Sequence, residues 1–104
     1  MQCYILPAFS KPKVYRGTLY AVDVMIRRYC TLYPDSCVSF DGKMLVHHAG
    51  TDTGFKNRAA SWLVKADIYG DVVVTGLMVD DGDEEHVSGL TPLMLTVCER
   101  SLGM

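Results

Sequence analysis

Residues 71–79 read DVVVTGLMV, and the rest of the fold can be built outward from them. Valine and threonine are β-branched and are enriched in strands, and the stretch is almost continuously apolar rather than alternating. A strand that is apolar on both faces is typical of the centre of a sheet that is covered on both sides. The stretch therefore predicts a central strand, in which Gly76 marks a bulge or a close packing contact.

A hairpin is predicted on the N-terminal side of this strand. Residues 37–40 (CVSF) and residues 43–46 (KMLV) are strand-like runs, and the pair Asp41-Gly42 stands between them. An Asp-Gly pair favours a type I′ turn, because both central residues of that turn need positive φ. Such a turn joins two antiparallel neighbours, so the two runs are expected to pair with each other.

Three helices are predicted around these strands. From Thr18 onward apolar residues recur at steps of three and four, which indicates an amphipathic helix of about three turns with Gly17 or Thr18 as its N-cap. Asn57 can cap a second helix over residues 58–65, and Thr91 followed by a proline favours the start of a third. The buried faces are predicted to be Leu19, Val22, Ile26 and Tyr29, then Ala59, Trp62 and Leu63 or their neighbours, then Leu93, Met94, Val97, Cys98 and Leu102.

The order of the predicted elements indicates the fold class. Residues 2–5 read as a first strand that Pro7 ends, so the whole order is β-α-β-β-α-β-α. This order predicts an α+β fold, a mainly antiparallel sheet with helices packed on it. The chain of 104 residues has no internal repeat and is too short for two cores of comparable size, so residues 1–104 are expected to form a single domain.

The sequence also indicates where the protein works. Its longest apolar runs are a few residues, far short of the roughly 20 that cross a bilayer. The N-terminus lacks the basic and apolar regions of a secretory signal. We therefore expect a soluble cytoplasmic protein that does not bind a membrane.

Charge is distributed unevenly along the chain. Residues 1–34 carry five basic side chains and one acid, whereas residues 71–104 carry seven acids and one base. Such asymmetry suggests an oriented surface for a charged partner, although the two ends could instead neutralise each other in the folded chain. The candidate partner-binding residues are Asp80, Asp81, Asp83, Glu84 and Glu85. This acidic run could mimic phosphate charge and engage a basic surface, or simply form a solvated turn.

A second candidate site lies where the helix over residues 58–65 begins. Lys56 and Arg58 flank the capping residue Asn57. Free backbone N–H groups, the positive end of the helix dipole and the two cations could hold a phosphate or carboxylate group. The spacing matches neither a Walker A loop nor a dinucleotide-binding glycine motif, so simple capping is the alternative.

No catalytic or metal-binding signature is present in the sequence. The acidic run does not match the ligand spacing of a calcium-binding EF-hand, and the cysteines form no CxxC pair. His47 and His48 are adjacent in a predicted strand, so they should point to opposite faces and cannot readily share a metal. The sequence predicts a protein without metal or cofactor that is not an enzyme, and its four cysteines are expected to be buried free thiols.

Nucleic-acid binding remains an open alternative. Tyr4, Tyr15 and Tyr20 are interleaved with the N-terminal bases Lys11, Lys13 and Arg16, and aromatic rings among cations can stack bases and contact phosphates. The pI of about 5.8 and the acidic C-terminal third oppose this interpretation.

Several short motifs resemble those of a protein family. The pair Asp41-Gly42, the run NRAA at residues 57–60, the run GDVVVTG at residues 70–76 and the pair Leu90-Thr91 occur in that order. In this the chain resembles a small uncharacterised family that is frequent in bacteriophage and plasmid genomes. The resemblance implies no activity, but it implies a mobile-element protein in the cytoplasm of a bacterial host.

Taken together, these features favour a binding protein. Our first hypothesis is a small phage-type accessory protein that modulates a host macromolecule, such as a nucleic-acid-processing or defence protein, through its acidic run. The alternative is a module that binds a nucleotide-like anion at Lys56, Asn57 and Arg58. An uncapped edge strand or the tyrosine-rich first helix could also pair with a second copy of the chain.

Overall fold

A computed structural model describes residues 1–29, 35–39, 42–48 and 55–101 of the chain. Two strands precede each helix in the described part, in the order β1 β2 α1 β3 β4 α2 β5 β6 α3. The strands are β1 (Gln2–Leu6), β2 (Lys13–Arg16), β3 (Asp35–Ser39), β4 (Gly42–His47), β5 (Val72–Val79) and β6 (Glu85–Ser88), and the helices are α1 (Leu19–Tyr29), α2 (Arg58–Val64) and α3 (Pro92–Ser101).

The strands form one antiparallel sheet. Its order is β2-β1-β5-β4-β3, and β6 also pairs with β5. β1 pairs with β5 over Val72 to Val74, whereas β6 pairs with it from Gly76 to Val79. β1 and β6 therefore share one edge of β5 end to end, while β4 occupies the other edge. The predicted α+β class with a mainly antiparallel sheet is confirmed.

β5 is covered on both faces, as its sequence predicts. Val72 and Val74 belong to a core cluster packed by side chains of α2 and α3, whereas Val73 belongs to a second cluster packed by α1. Side chains alternate along a strand, so three consecutive valines fill two different cores. The prediction that Gly76 marks a close contact is also confirmed, because a Cβ there would lie 2.6 Å from the Gly89 carbonyl oxygen.

The hydrogen bonds of the caps agree with the predicted starts of the three helices. The Thr18 hydroxyl oxygen accepts from Ala21 N at 3.1 Å, the Asn57 amide oxygen from Ala60 N at 3.1 Å, and the Thr91 hydroxyl oxygen from Met94 N at 3.2 Å. Each bond pairs a backbone N–H that the first turn of a helix leaves without an intrahelical acceptor.

Two strands and several buried positions were predicted wrongly. Neither β2 nor β6 was predicted as a strand, and β6 begins at Glu85, the last residue of the acidic run. Leu19 and Leu93 are exposed, and so is Trp62, although all three were assigned to buried faces. In α2 the buried residue is Ala60, and Trp62 lies about half a turn around the helix from it.

β3 and β4 pair antiparallel, as predicted, but the predicted position of the turn is wrong. Ser39 lies opposite Gly42, which has a φ of +138° and is the first, paired residue of β4 rather than a central residue of the turn. The other predicted turn residue, Asp41, lies outside the described residues.

Two of the four cysteines can be compared with the prediction of buried free thiols. Cys3 and Cys98 are buried free thiols, and burial raises the pKa of the Cys3 thiol to about 11. Cys30, the Cys37 side chain and Leu102 lie outside the described part. None of the helices described is long and apolar enough to span a bilayer.

Candidate functional site

The β5–β6 hairpin carries four of the five predicted partner-binding side chains at its turn. We call Asp80, Asp81, Asp83 and Glu84 the acidic tip. All four are exposed. The side chain of the fifth, Glu85, lies outside the described part, although its backbone begins β6. The structure thus brings these residues together at one end of the sheet.

Asp80 organises the turn from its first position. Its Oδ1 accepts hydrogen bonds from the backbone N–H groups of Gly82 and Glu84, both at 2.9 Å. The backbone adds a bond from Asp83 N to Asp80 O at 3.1 Å. Asp83 has a φ of +62°, a left-handed conformation that Asp and Asn adopt more readily than most residues. The acidic tip therefore has a defined backbone shape.

A histidine completes the turn. Nε2 of His86 lies 2.8 Å from Oδ2 of Asp80. This hydrogen bond, followed by the one from the Glu84 backbone, lowers the pKa of the Asp80 carboxyl below its ordinary value. Asp80 is ionised at neutral pH and is occupied as a structural acceptor of the turn.

Among the residues described, no lysine or arginine pairs with the acidic tip. Elsewhere in the described part, ion pairs join Arg27 to Asp23 at 3.1 Å and Lys56 to Asp67 at 3.0 Å. The only ion pair described at the acidic tip joins Asp80 to His86. The charge of Asp81, Asp83 and Glu84 is therefore presented to solvent.

Three side chains at the tip could hold a metal ion. One donor atom each from Asp80, Glu84 and His86 lies within 4.8 Å of the other two. Two carboxylates and an imidazole suit a divalent transition metal. All three residues are exposed, and the Asp80–His86 hydrogen bond would have to open for both to coordinate the same ion.

The second predicted site has a different geometry from the one expected. Asn57 is buried, and its amide nitrogen donates to Leu6 O at 2.7 Å and to Gly70 O at 2.9 Å while its oxygen caps α2. Its side chain is thus fully engaged by the backbone and offers nothing to an anion. Lys56 is paired with Asp67, and Arg58 is exposed.

His47, the last residue of β4, and His48, which follows it, are both buried. Nε2 of His47 lies 2.8 Å from the Thr75 hydroxyl oxygen, and burial, followed by the charge of His48, lowers the pKa of His47 to about 4. A hydroxyl beside an imidazole is the arrangement of an activated nucleophile. Here Thr75 is completely buried, so the contact holds two strands together and is closed to a substrate.

Sequence reasoning missed a group of exposed aromatic rings near α2. Trp62, Phe55 and Phe9 are 73%, 68% and 76% exposed, and Phe9 and Phe55 contact each other edge to face with centroids 4.6 Å apart. Of the three tyrosines proposed for base stacking, Tyr4 is buried and Tyr15 packs against the cluster under α1, whereas Tyr20 is exposed. Ala60 and Val64 are four residues apart and share one face of α2, and a helical projection with that face buried places Trp62 on the outer side.

Comparison of the chain with protein-family models, with curated proteins and with solved structures finds no match. The arguments about function therefore depend on the chemistry of the chain itself.

Proposed function

We propose that this chain is a small accessory binding protein that engages a basic surface of a host macromolecule through the acidic tip of the β5–β6 hairpin. The observation that carries the proposal is the exposure of four clustered carboxylates without a lysine or arginine partner in the part of the chain described. Complementary charge steers association and selects partners more than it adds affinity. The motif resemblance to phage and plasmid proteins is the reason to seek the partner in a bacterial host.

The residues that lead into the acidic tip provide an apolar contact next to the charge. Met78 and Val79, the last two residues of β5, are each 54% exposed. An interface commonly combines an apolar centre with a polar or charged rim. The end of this hairpin offers both on a turn that the Asp80 hydrogen bonds hold in shape.

The alternative of a nucleotide-like anion at Lys56, Asn57 and Arg58 has less support. It requires the polar atoms of Asn57, which the backbone already uses, and the charge of Lys56, which is paired with Asp67. We therefore retain the acidic tip as the working surface of the proposal.

Affinity capture from bacterial lysate tests it with two matched variants. The first is Asp81→Asn/Asp83→Asn/Glu84→Gln, which keeps Asp80 because that carboxylate holds the turn. The second is Asp23→Asn/Asp67→Asn/Glu99→Gln, which removes the same charge from exposed or partly exposed positions elsewhere. Loss of an exposed ion pair should change stability by less than about 1 kcal/mol, so both variants should fold.

We expect the wild-type chain and the second variant to retain the same partner, and the first variant to lose it. Retention by the first variant, or no specific partner for the wild-type chain, would contradict the proposal.

A further inference from the structure

The exposed aromatic rings beside α2 form a surface together with basic side chains. We call Phe9, Phe55, Lys56, Arg58, Trp62 and Lys65 the Trp62 surface, and all six are exposed. A group of large aromatic rings exposed to water is unusual on a protein of this size, because contact between water and apolar surface is unfavourable. Such patches mark binding sites. The contact between Phe9 and Phe55 fixes two of the rings against each other.

Two adjoining depressions run along this surface. One of about 480 Å³ is lined by Trp62, Lys65 and the side of α2. The other, of about 250 Å³, extends toward Ser10 and Pro12. Lys56 and Arg58 line both depressions, so an extended ligand that follows them would pass two cations and Trp62 in succession.

The charge of the surface is positive. Lys56, Arg58 and Lys65 face a single acid among the lining residues, Asp67, whose carboxylate lies 3.0 Å from Lys56. In the described part of the chain no acidic side chain is paired with Arg58 or Lys65. Two cations are therefore free to contact an anionic ligand.

The surface lies at the opposite end of β5 from the acidic tip. Lys56 bridges to Tyr69 and Asn57 binds Gly70 O, both just before β5, whereas the acidic tip follows its last residue. Eight strand residues at roughly 3.3 Å each separate the two ends by about 25 Å. This exceeds the Debye length of about 8 Å at physiological salt, so the acidic tip does not neutralise the Trp62 surface.

We propose that the Trp62 surface binds single-stranded nucleic acid. Bases stack on Trp62 and on the exposed phenylalanine rings, and Arg58 and Lys65 contact the phosphates. Aromatic platforms beside a positively charged groove are the features with which proteins bind single strands without reading sequence. An acidic peptide would satisfy the cations but would have no comparable use for three exposed aromatic rings.

Intrinsic fluorescence tests this inference directly, because Trp62 is the only tryptophan of the chain. The probes are single-stranded DNA and RNA homo-oligomers of about 15 nucleotides, a length that covers common site sizes. We expect saturable quenching with either or both. With about two phosphate contacts, the logarithm of the binding constant should fall with the logarithm of salt concentration with a slope of about −1.4.

Variants are then compared by anisotropy of the labelled oligomer that bound. Trp62→Ala and Arg58→Gln/Lys65→Gln should each weaken binding about tenfold, while Trp62→Phe should retain most of it because a ring remains for stacking. The controls are Tyr20→Ala and Arg27→Gln, which change an exposed ring and an exposed cation of α1, and they should bind as the wild type does.

Three results would overturn the inference: no saturable quenching at low salt, equal binding by Trp62→Ala, or equally tight binding of polyglutamate, which would identify a site for acidic peptides. The variant of the acidic tip should bind the oligomer normally. A failure at the Trp62 surface is therefore distinguishable from a failure of the proposed partner binding.

Discussion

Asn57 joins three segments of the chain with one side chain. Its amide nitrogen bonds the carbonyls of Leu6 and Gly70, and its oxygen caps α2 at Ala60 N. These bonds tie the end of β1 and the entrance to β5 to the start of the helix. The residue that the sequence offered as an anion ligand is thus committed to the fold.

The first prediction concerns this residue. Asn57→Ala should lower the free energy of unfolding by about 3 kcal/mol, because it removes a cap and leaves two carbonyl groups without their donor. Urea denaturation measures the change. Thr18→Ala, which removes only the exposed cap of α1, should lose about 1 kcal/mol. Equal losses in the two variants would show that the hydrogen bonds to Leu6 and Gly70 contribute nothing to the free energy of unfolding.

At the scale of single residues the sequence predicted caps better than exposure. A cap depends on one side chain and the backbone three residues away, so Thr18, Asn57 and Thr91 could be identified from local pattern alone. Whether Trp62 or Leu19 is buried depends on which face of a helix meets the sheet. That is set by the tertiary packing of α1 and α2, which no short stretch contains.

The β5–β6 hairpin, the element that presents the acidic tip, depends on a glycine. At Gly76 an added Cβ would lie 2.6 Å from the Gly89 carbonyl oxygen and 2.7 Å from the Ser88 hydroxyl oxygen. The serine side chain can rotate away, but the backbone carbonyl must shift. At Gly82, in the turn itself, the nearest atom is an Asp80 carboxylate oxygen at 3.5 Å, an ordinary contact.

The second prediction compares these two glycines. Gly76→Ala should lower the free energy of unfolding by about 2 kcal/mol through overpacking, whereas Gly82→Ala should change it by less than about 0.5 kcal/mol. Thermal and urea unfolding of both variants measure the difference. Equal stability of Gly76→Ala and Gly82→Ala would contradict the close approach of the Gly89 carbonyl to β5.

At the scale of elements, strong local patterns were predictable and weak ones were not. β5 has an apolar run and the β3–β4 hairpin has its turn signal, and both were predicted. β2 and β6 are strands of four residues, and β2 is largely exposed. They therefore lack the apolar alternation that marks a half-buried strand. They form because β1 and β5 provide edges for pairing.

Across the whole molecule, one buried histidine couples stability to pH. The pKa of His47 is lowered from 6.5 to about 4 by burial and by the charge of His48. Below pH 6.5 His47 is protonated in the unfolded chain, whereas in the native state it stays neutral until about pH 4. Protonation therefore favours unfolding across this window.

The third prediction is that stability is highest above pH 6.5 and falls as the pH drops toward 4. The loss attributable to His47 should be about 3 kcal/mol over the window. Urea denaturation at several pH values measures it, and the slope between pH 5 and 6.5 should largely disappear in His47→Gln. An unchanged slope in that variant would assign the effect to other groups.

The acidic tip and the basic Trp62 surface lie at opposite ends of β5. The acidic tip follows the C-terminal end of β5, and the Trp62 surface lies beside its N-terminal end. The sequence predicted the acidic surface because consecutive acids remain together in any fold. It could not predict the Trp62 surface, because Phe9 is distant in sequence from Phe55 and Trp62, and only the fold places Phe9 against Phe55.

The most direct test of the acidic tip is an affinity measured against salt. We would determine the dissociation constant between the full chain and the protein recovered by capture, at about 0.05 M and about 0.5 M salt. At low salt Asp81→Asn/Asp83→Asn/Glu84→Gln should bind about tenfold more weakly than the wild type, and at high salt the difference should nearly vanish. Equal affinities of the two chains at low salt would contradict the account.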